Sequence, residues 1–168
     1  MKNPRVTPST SANRQPTSFL PGGSPERPNI PHPPTRTILL AVSQHQEDFD
    51  FLRHTLEGTN WCLCPARSYR EALAVLCRDR MPVVICRRYL PDGNWCDILS
   101  QTAELPEAPR LIVVCTEPLE QLSAEVLHVG GYDVLIPPLD AREVLWKVGC
   151  AWRDWESEYS RVRRHWKT

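Results

Sequence analysis

Five short apolar runs punctuate the chain from Thr37 onward. They are TILLAVS (37–43), WCLCPARS (61–68), PVVICRR (82–88), PRLIVVCT (109–116) and YDVLIPP (132–138). Each is short for a helix and lacks the strict alternation of a sheet with one wet face, which predicts strands buried on both sides. Between them lie segments with apolar residues at helical spacing. QHQEDFDFLRHTLEGT places Phe49, Leu52 and Leu56 on one face and stops at Gly58. SYREALAVLCRDR opens on Ser68 with Glu71 three residues on, a capping-box pattern. NWCDILSQTAE follows the third strand, LEQLSAEVLHVGG ends on Gly130-Gly131, and DAREVLWKVGCAWRDWE starts from Asp140 as cap. Five strands alternating with five helices predict an α/β fold, a doubly wound parallel sheet covered on both faces.

The two ends break this pattern. Residues 1–36 are rich in Pro, Ser, Thr and Asn, and PERPNIPHPP has too few backbone donors to join a helix or sheet. An extended or disordered arm is expected there. It carries five basic residues against Glu26 alone, a net charge of +4. Residues 153–168 carry +2, so the middle carries −6 and the whole chain is neutral. No apolar run is long enough to span a membrane, and the amino-terminal stretch has no apolar core of a secretory signal. A cytoplasmic location is expected, with the seven cysteines reduced. None forms C-x-x-C, no His falls at zinc-finger spacing, and no metal site or cofactor is expected. The cysteines read as small buried hydrophobes.

Two stretches carry a family resemblance: YLPDGNWCDIL after the third strand, and VGGYDVLIPPLDAREVL near the end. With the element order, they make residues 37–152 resemble a bacterial response-regulator receiver domain, CheY-like, and flavodoxin-like in fold. The resemblance implies strand order 2-1-3-4-5. It also implies chemistry at the carboxyl ends of the strands. Two acids after the first strand help hold Mg²⁺, an Asp ending the third accepts phosphate, a Thr or Ser ends the fourth, and a Lys precedes Pro after the fifth. Carried over, the acid pair falls on Val42 and Ser43, the acceptor on Arg87, the hydroxyl on Val114 or Cys115, and the Lys on Pro137. Thr116 matches only with a shifted strand, and the switch aromatic falls on Val134. On this reading the chain is a degenerate pseudo-receiver that lacks the phosphoacceptor Asp. The family's Lys-Pro bond is commonly cis, which implies a cis bond before Pro138.

Arg87 is expected to pair with a carboxylate, with Asp92 and Glu117 the nearest in sequence, or to reach solvent. Arg87 and Arg88 together form a possible anion-binding site. Asp92 is better read as a turn residue than as a substitute acceptor, and Asp97 as exposed helix surface.

The tail continues the last helix. Leu145, Val148, Trp152, Trp155, Tyr159, Val162 and Trp166 recur at alternating intervals of three and four. Up to Trp152 this is an ordinary last helix packed on the sheet. Beyond it, Trp155, Tyr159, Val162 and Trp166 are expected to need a cover; a dimer, a partner helix or the N-terminal arm could supply it, and self-association through this helix is favoured. The basic residues at the end raise nucleic-acid binding, but no recognised reader motif accompanies them.

The expected organisation is a basic arm (1–36), a receiver-like domain (37–152) and a helical extension (153–168). The expected function is phosphorylation-independent protein interaction in two-component or phosphorelay signalling. It is not expected to be an enzyme. The alternative is an atypical receiver that still accepts phosphate, or one that binds an anion or nucleic acid through Arg87-Arg88 and the tail.

Overall fold

The computed structural model describes the backbone of residues 29–116 and 119–165, and their side chains other than those of 119–123 and 162–165. In chain order the elements are β1 (Thr37–Val42), α1 (Gln46–Leu56), β2 (Trp61–Ala66), α2 (Tyr69–Arg78) and β3 (Val83–Arg87). Then come β4 (Tyr89–Leu90), β5 (Gly93–Asn94), α3 (Trp95–Thr102), β6 (Arg110–Val114), α4 (Leu119–Val129), β7 (Asp133–Leu135) and α5 (Ala141–His165). Five strands form one parallel sheet in the order β2-β1-β3-β6-β7, which is 2-1-3-4-5 for the five long strands. The fold is the flavodoxin-like one expected. The pattern did not foresee β4 and β5, an antiparallel hairpin pairing Tyr89 with Asn94 and Leu90 with Gly93 around the Pro91-Asp92 turn.

Why the apolar runs lack alternation is plain in the packing. Neighbouring residues on each strand enter different cores. Leu40, Val42, Val84, Cys86, Leu111 and Val113 face α2, α3 and α4, where Ala72, Leu76, Trp95, Ile98 and Val126 meet them. Leu39, Ala41, Val83, Ile85, Ile112 and Val114 face α1 and α5, against Phe49, Leu52, Leu56, Val144, Val148 and Ala151. Both sides of the sheet are dry, so both sets of positions must be apolar.

The caps follow local chemistry. Ser68 Oγ accepts from the backbone N–H of Glu71, and Asp140 Oδ1 accepts from the N–H groups of Arg142 and Glu143 at 2.9 Å. Asp97, expected as plain surface, completes a capping box: the backbone N–H of Asn94 donates to it at 2.8 Å. Asp92 reaches across to α2, where the N–H groups of Tyr69 and Arg70 donate to its carboxylate at 2.7 and 3.1 Å. A negative charge there complements the positive end of the helix.

Residues 29–36 of the proline-rich arm lie outside helix and sheet, as expected, but are not free of the domain. These residues pack on the domain without regular structure. Pro33 is buried, and Asn60 Nδ2 donates to its carbonyl at 2.9 Å. Prolines lack the donor but keep the acceptor, so the segment is held through carbonyls and side-chain contact. Pro31 crosses α5 at Gly149, where an added Cβ would lie 2.2 Å from the Pro31 carbonyl oxygen. Only glycine permits this approach.

Gly149→Ala should therefore displace the 29–33 strap from α5 or strain the helix, costing about 1–3 kcal/mol. Hydrogen exchange that quickens at Asn60 and in residues 29–36 while the sheet stays protected would show the strap releasing. Unchanged stability and protection would contradict the close packing.

Candidate functional site

The carboxyl ends of the central strands converge on a polar cluster. β1 delivers Ser43 just past its last residue, and β3 ends on Arg87. Arg87 lies two positions beyond Ile85, so it leaves the sheet on the α1 side. The first turn of α1 supplies Asp48. Arg87 Nε donates to Asp48 Oδ2 at 2.8 Å and Nη2 donates to Oδ1 at 2.6 Å. Both carboxylate oxygens are thus engaged in a two-pronged ion pair. Ser43 Oγ–H donates to Asp48 Oδ2 at 2.5 Å and accepts from the backbone N–H of His45 at 3.0 Å. This corrects the expected partner of Arg87: Asp92 is committed to α2, and Glu117 lies outside the described residues.

Burial opposes the charge on Asp48, but the hydrogen bonds from Arg87 and Ser43 and the guanidinium's charge outweigh it. The carboxyl is held below the usual range. The hydrogen bonds that Arg87 donates to Asp48 likewise outweigh burial at Arg87 and raise its pKa, so both groups are charged. Around them, Ala41, Val42, Leu52, Ile85, Val114 and Leu139 close a void of only about 10 Å³. That is room for about one water at most.

Of the other carried-over positions, Val42, Ser43 and Val114 line the crevice with the pair, and none of them adds a charge. Val114 is buried on the Arg87 side, whereas Cys115 is buried in the opposite core. Thr116 is exposed past the strand, and Val134 is buried. Pro137 is half-buried, and the Pro137–Pro138 bond is cis. Arg88 leaves β3 on the other face from Arg87. Its guanidinium approaches Glu125 at 3.5 Å and lies 5.4 Å from the centre of the Tyr89 ring. The two arginines therefore do not converge into one anion site. Each meets its own carboxylate across a sheet, because adjacent strand residues point to opposite faces.

All seven cysteines are free. Among the described residues no group of three His, Cys, Asp or Glu could hold a metal ion. The Mg²⁺ that such a fold implies does not fit this crevice either. Among the described residues its one lining carboxylate is paired on both oxygens with a guanidinium, and the remaining void is too small for a hydrated ion.

The tail also departs from expectation. Trp155 is only 9% exposed and covered by its own domain, with Nε1–H donating to the Glu107 carbonyl at 3.4 Å. Tyr159 stacks on Trp155 with centroids 5.2 Å apart, and Arg80 lies over the tyrosine ring and donates to its hydroxyl at 2.5 Å. Arg110 pairs with Glu158, and the Tyr132 hydroxyl donates to Asp154 at 2.7 Å. Trp152 is half-buried against the α1–α5 core. Trp155 and Tyr159 thus find their contacts within the chain itself. The Val162 side chain and Trp166 lie outside the described residues. No helix among the described residues is long and apolar enough to cross a membrane.

No protein-family model matches this chain, and no curated protein matches it. Solved structures do. The signal receiver domain of an HD domain-containing protein from Pseudomonas fluorescens superposes with a TM-score of 0.68 at 24% identity, covering 79% of this chain and 98% of that one. The receiver domain of a LuxO repressor protein from Vibrio parahaemolyticus gives 0.68 at 17%, covering 73% and 95%. A CheY-like receiver domain protein from Methanospirillum hungatei gives 0.65 at 19%, covering 74% and 99%. At these identities the likeness is one of fold.

Two outcomes test the ion pair. The side chains of Arg87 and Asp48 are 22% and 13% exposed, so Arg87→Ala strands a largely buried carboxylate and should cost about 2 kcal/mol in urea unfolding. The depressed Asp48 pKa adds stability that is complete above its unfolded value of about 4 and is lost as pH falls through the folded value. The gap between the native chain and Asp48→Asn should therefore be widest at about pH 7 and shrink by about pH 3, a gap constant over that range being the contrary result.

Proposed function

We propose that the chain is a pseudo-receiver: a receiver-fold module that works in two-component-type signalling by binding proteins, without phosphorylation. The single observation that supports this most is the two-pronged Arg87–Asp48 pair in the crevice where receivers carry out phosphoryl transfer. By the resemblance, Arg87 stands where an acceptor carboxylate is needed. A guanidinium cannot form an acyl phosphate. It also replaces the charge that a divalent cation would supply, since it neutralises the one carboxylate that lines the crevice among the described residues. The module is thereby fixed in one electrostatic state. In phosphorylated receivers the added charge reorganises this region; here an internal cation holds it permanently.

The reading gives no catalytic role to any residue. Ser43 orients Asp48, Asp48 anchors Arg87, and the pair ties α1 to the end of β3. Output then depends on the presence of the module and its partner, not on a covalent signal.

Incubation with Mg²⁺ and acetyl phosphate, followed by intact-mass measurement, tests this. The expected mass is unchanged. A phosphoryl adduct would defeat the reading, and if it mapped to Asp92 or Asp48 it would favour the atypical receiver instead. Arg87→Asp should gain measurable Mg²⁺ affinity over the native chain, because it turns a neutralised site into one with two carboxylates.

A further inference from the structure

The opposite end of the sheet holds a cleft built mainly by the two segments that flank the domain. Pro34, Thr35 and Arg36 of the arm form one wall, with Thr37 and Ile38 of β1. Arg80 and Pro82 form the base, and Trp152, Trp155 and Glu156 of α5 form the other wall. Its volume is about 450 Å³. Pockets for small organic ligands run from about 300 to 1,000 Å³.

Three features of the lining point to one kind of ligand. Trp152 and Trp155 give an aromatic surface, and the indole N–H of Trp152 has no partner among the described residues. Arg36 donates from Nε to Cys62 Sγ at 3.1 Å and has no carboxylate partner among the described residues. Glu156 likewise has no basic partner among them, whereas its neighbours Asp154 and Glu158 are engaged by Tyr132 and Arg110. Arg80 is held by Glu107 and Tyr159, so it shapes the cleft more than it charges it. An aromatic wall suits a flat ring, a guanidinium suits an acid group, and a carboxylate suits an N–H donor.

We propose that this cleft binds a small planar aromatic ligand bearing an acid group and a separate N–H donor, with the ring against Trp152, the acid on Arg36 and the donor on Glu156. A guanine nucleotide and an aromatic amino acid share this chemistry. The site is independent of the Arg87–Asp48 crevice, so it stands or falls separately from the pseudo-receiver reading.

Calorimetric titration of the full chain with guanosine monophosphate and, separately, with tryptophan tests it. Saturable binding of one of them with a Kd at or below about 1 mM is expected, and which one binds names the source. Arg36→Ala should weaken that binding about tenfold, and guanosine or tryptamine, which lack the acid group, should show the same loss on the native chain. Glu156→Gln should weaken it several-fold. Arg36 and Glu156 are exposed, so both variants should keep the native unfolding transition, which circular dichroism checks. No saturable heat with either ligand, or binding indifferent to Arg36→Ala, would overturn the assignment.

Discussion

One ion pair organises the carboxyl edge of this protein. A strand that ends in Arg87 at a largely dry crevice cannot leave the guanidinium unpaired, and the nearest carboxylate able to meet it with both oxygens is Asp48. Everything around the pair follows from that need. Ser43 turns its hydroxyl to the same carboxylate, the start of α1 is drawn toward β3, and the apolar side chains close in until almost no space is left. The pair is also self-sufficient. Its two charges cancel and both carboxylate oxygens are engaged. A crevice of opposite design, with several carboxylates and no internal cation, would gain stability from a bound metal.

The fold was legible because it rests on periodicity, and periodicity survives in a single chain. Leu39 and Leu40, or Val83 and Val84, enter different cores, and that is why their runs are continuous. The cap residues Ser68 and Asp140 act within a few positions of themselves and were legible for the same reason. Asp48 was not. It lies 39 residues from Arg87 and looks like an ordinary acid in the first turn of a helix, where such residues are common for reasons of the helix dipole alone. The useful signal was topological. α1 leaves from the end of β1, beside β3, so an acid in its first turn is closer to Arg87 than Asp92, only five residues further along the chain.

The tail shows a second limit of pattern reading. Intervals of three and four say that one face of a helix is apolar, and they do not say what that face meets. In the seam from Leu145 to Tyr159, the cover comes from the chain itself: Glu107 on the α3–β6 connection, Arg80 after α2, and the strap that crosses Gly149. The strap was illegible for the complementary reason. Half of NIPHPP is proline, so it reads as unable to join a helix or sheet; it joins neither, yet it is fixed on the domain through a carbonyl and side-chain contact.

Both ends of the sheet hold internal ion pairs, but they differ in the charge left over. At the carboxyl end, Arg87 and Asp48 answer each other, Arg88 meets Glu125, and Asp92 answers the α2 terminus. At the amino end, the flanking segments bring Arg36 and Glu156 to the walls of one cleft, and neither has an oppositely charged partner among the described residues. An exposed charge is stable in water by itself, so this is no flaw of folding. But charges that the fold has not already used, set beside aromatic surface, are those that remain able to distinguish one ligand from another. On the two proposals above, recognition lies at the edge that the arm and the long helix build rather than at the Arg87–Asp48 crevice.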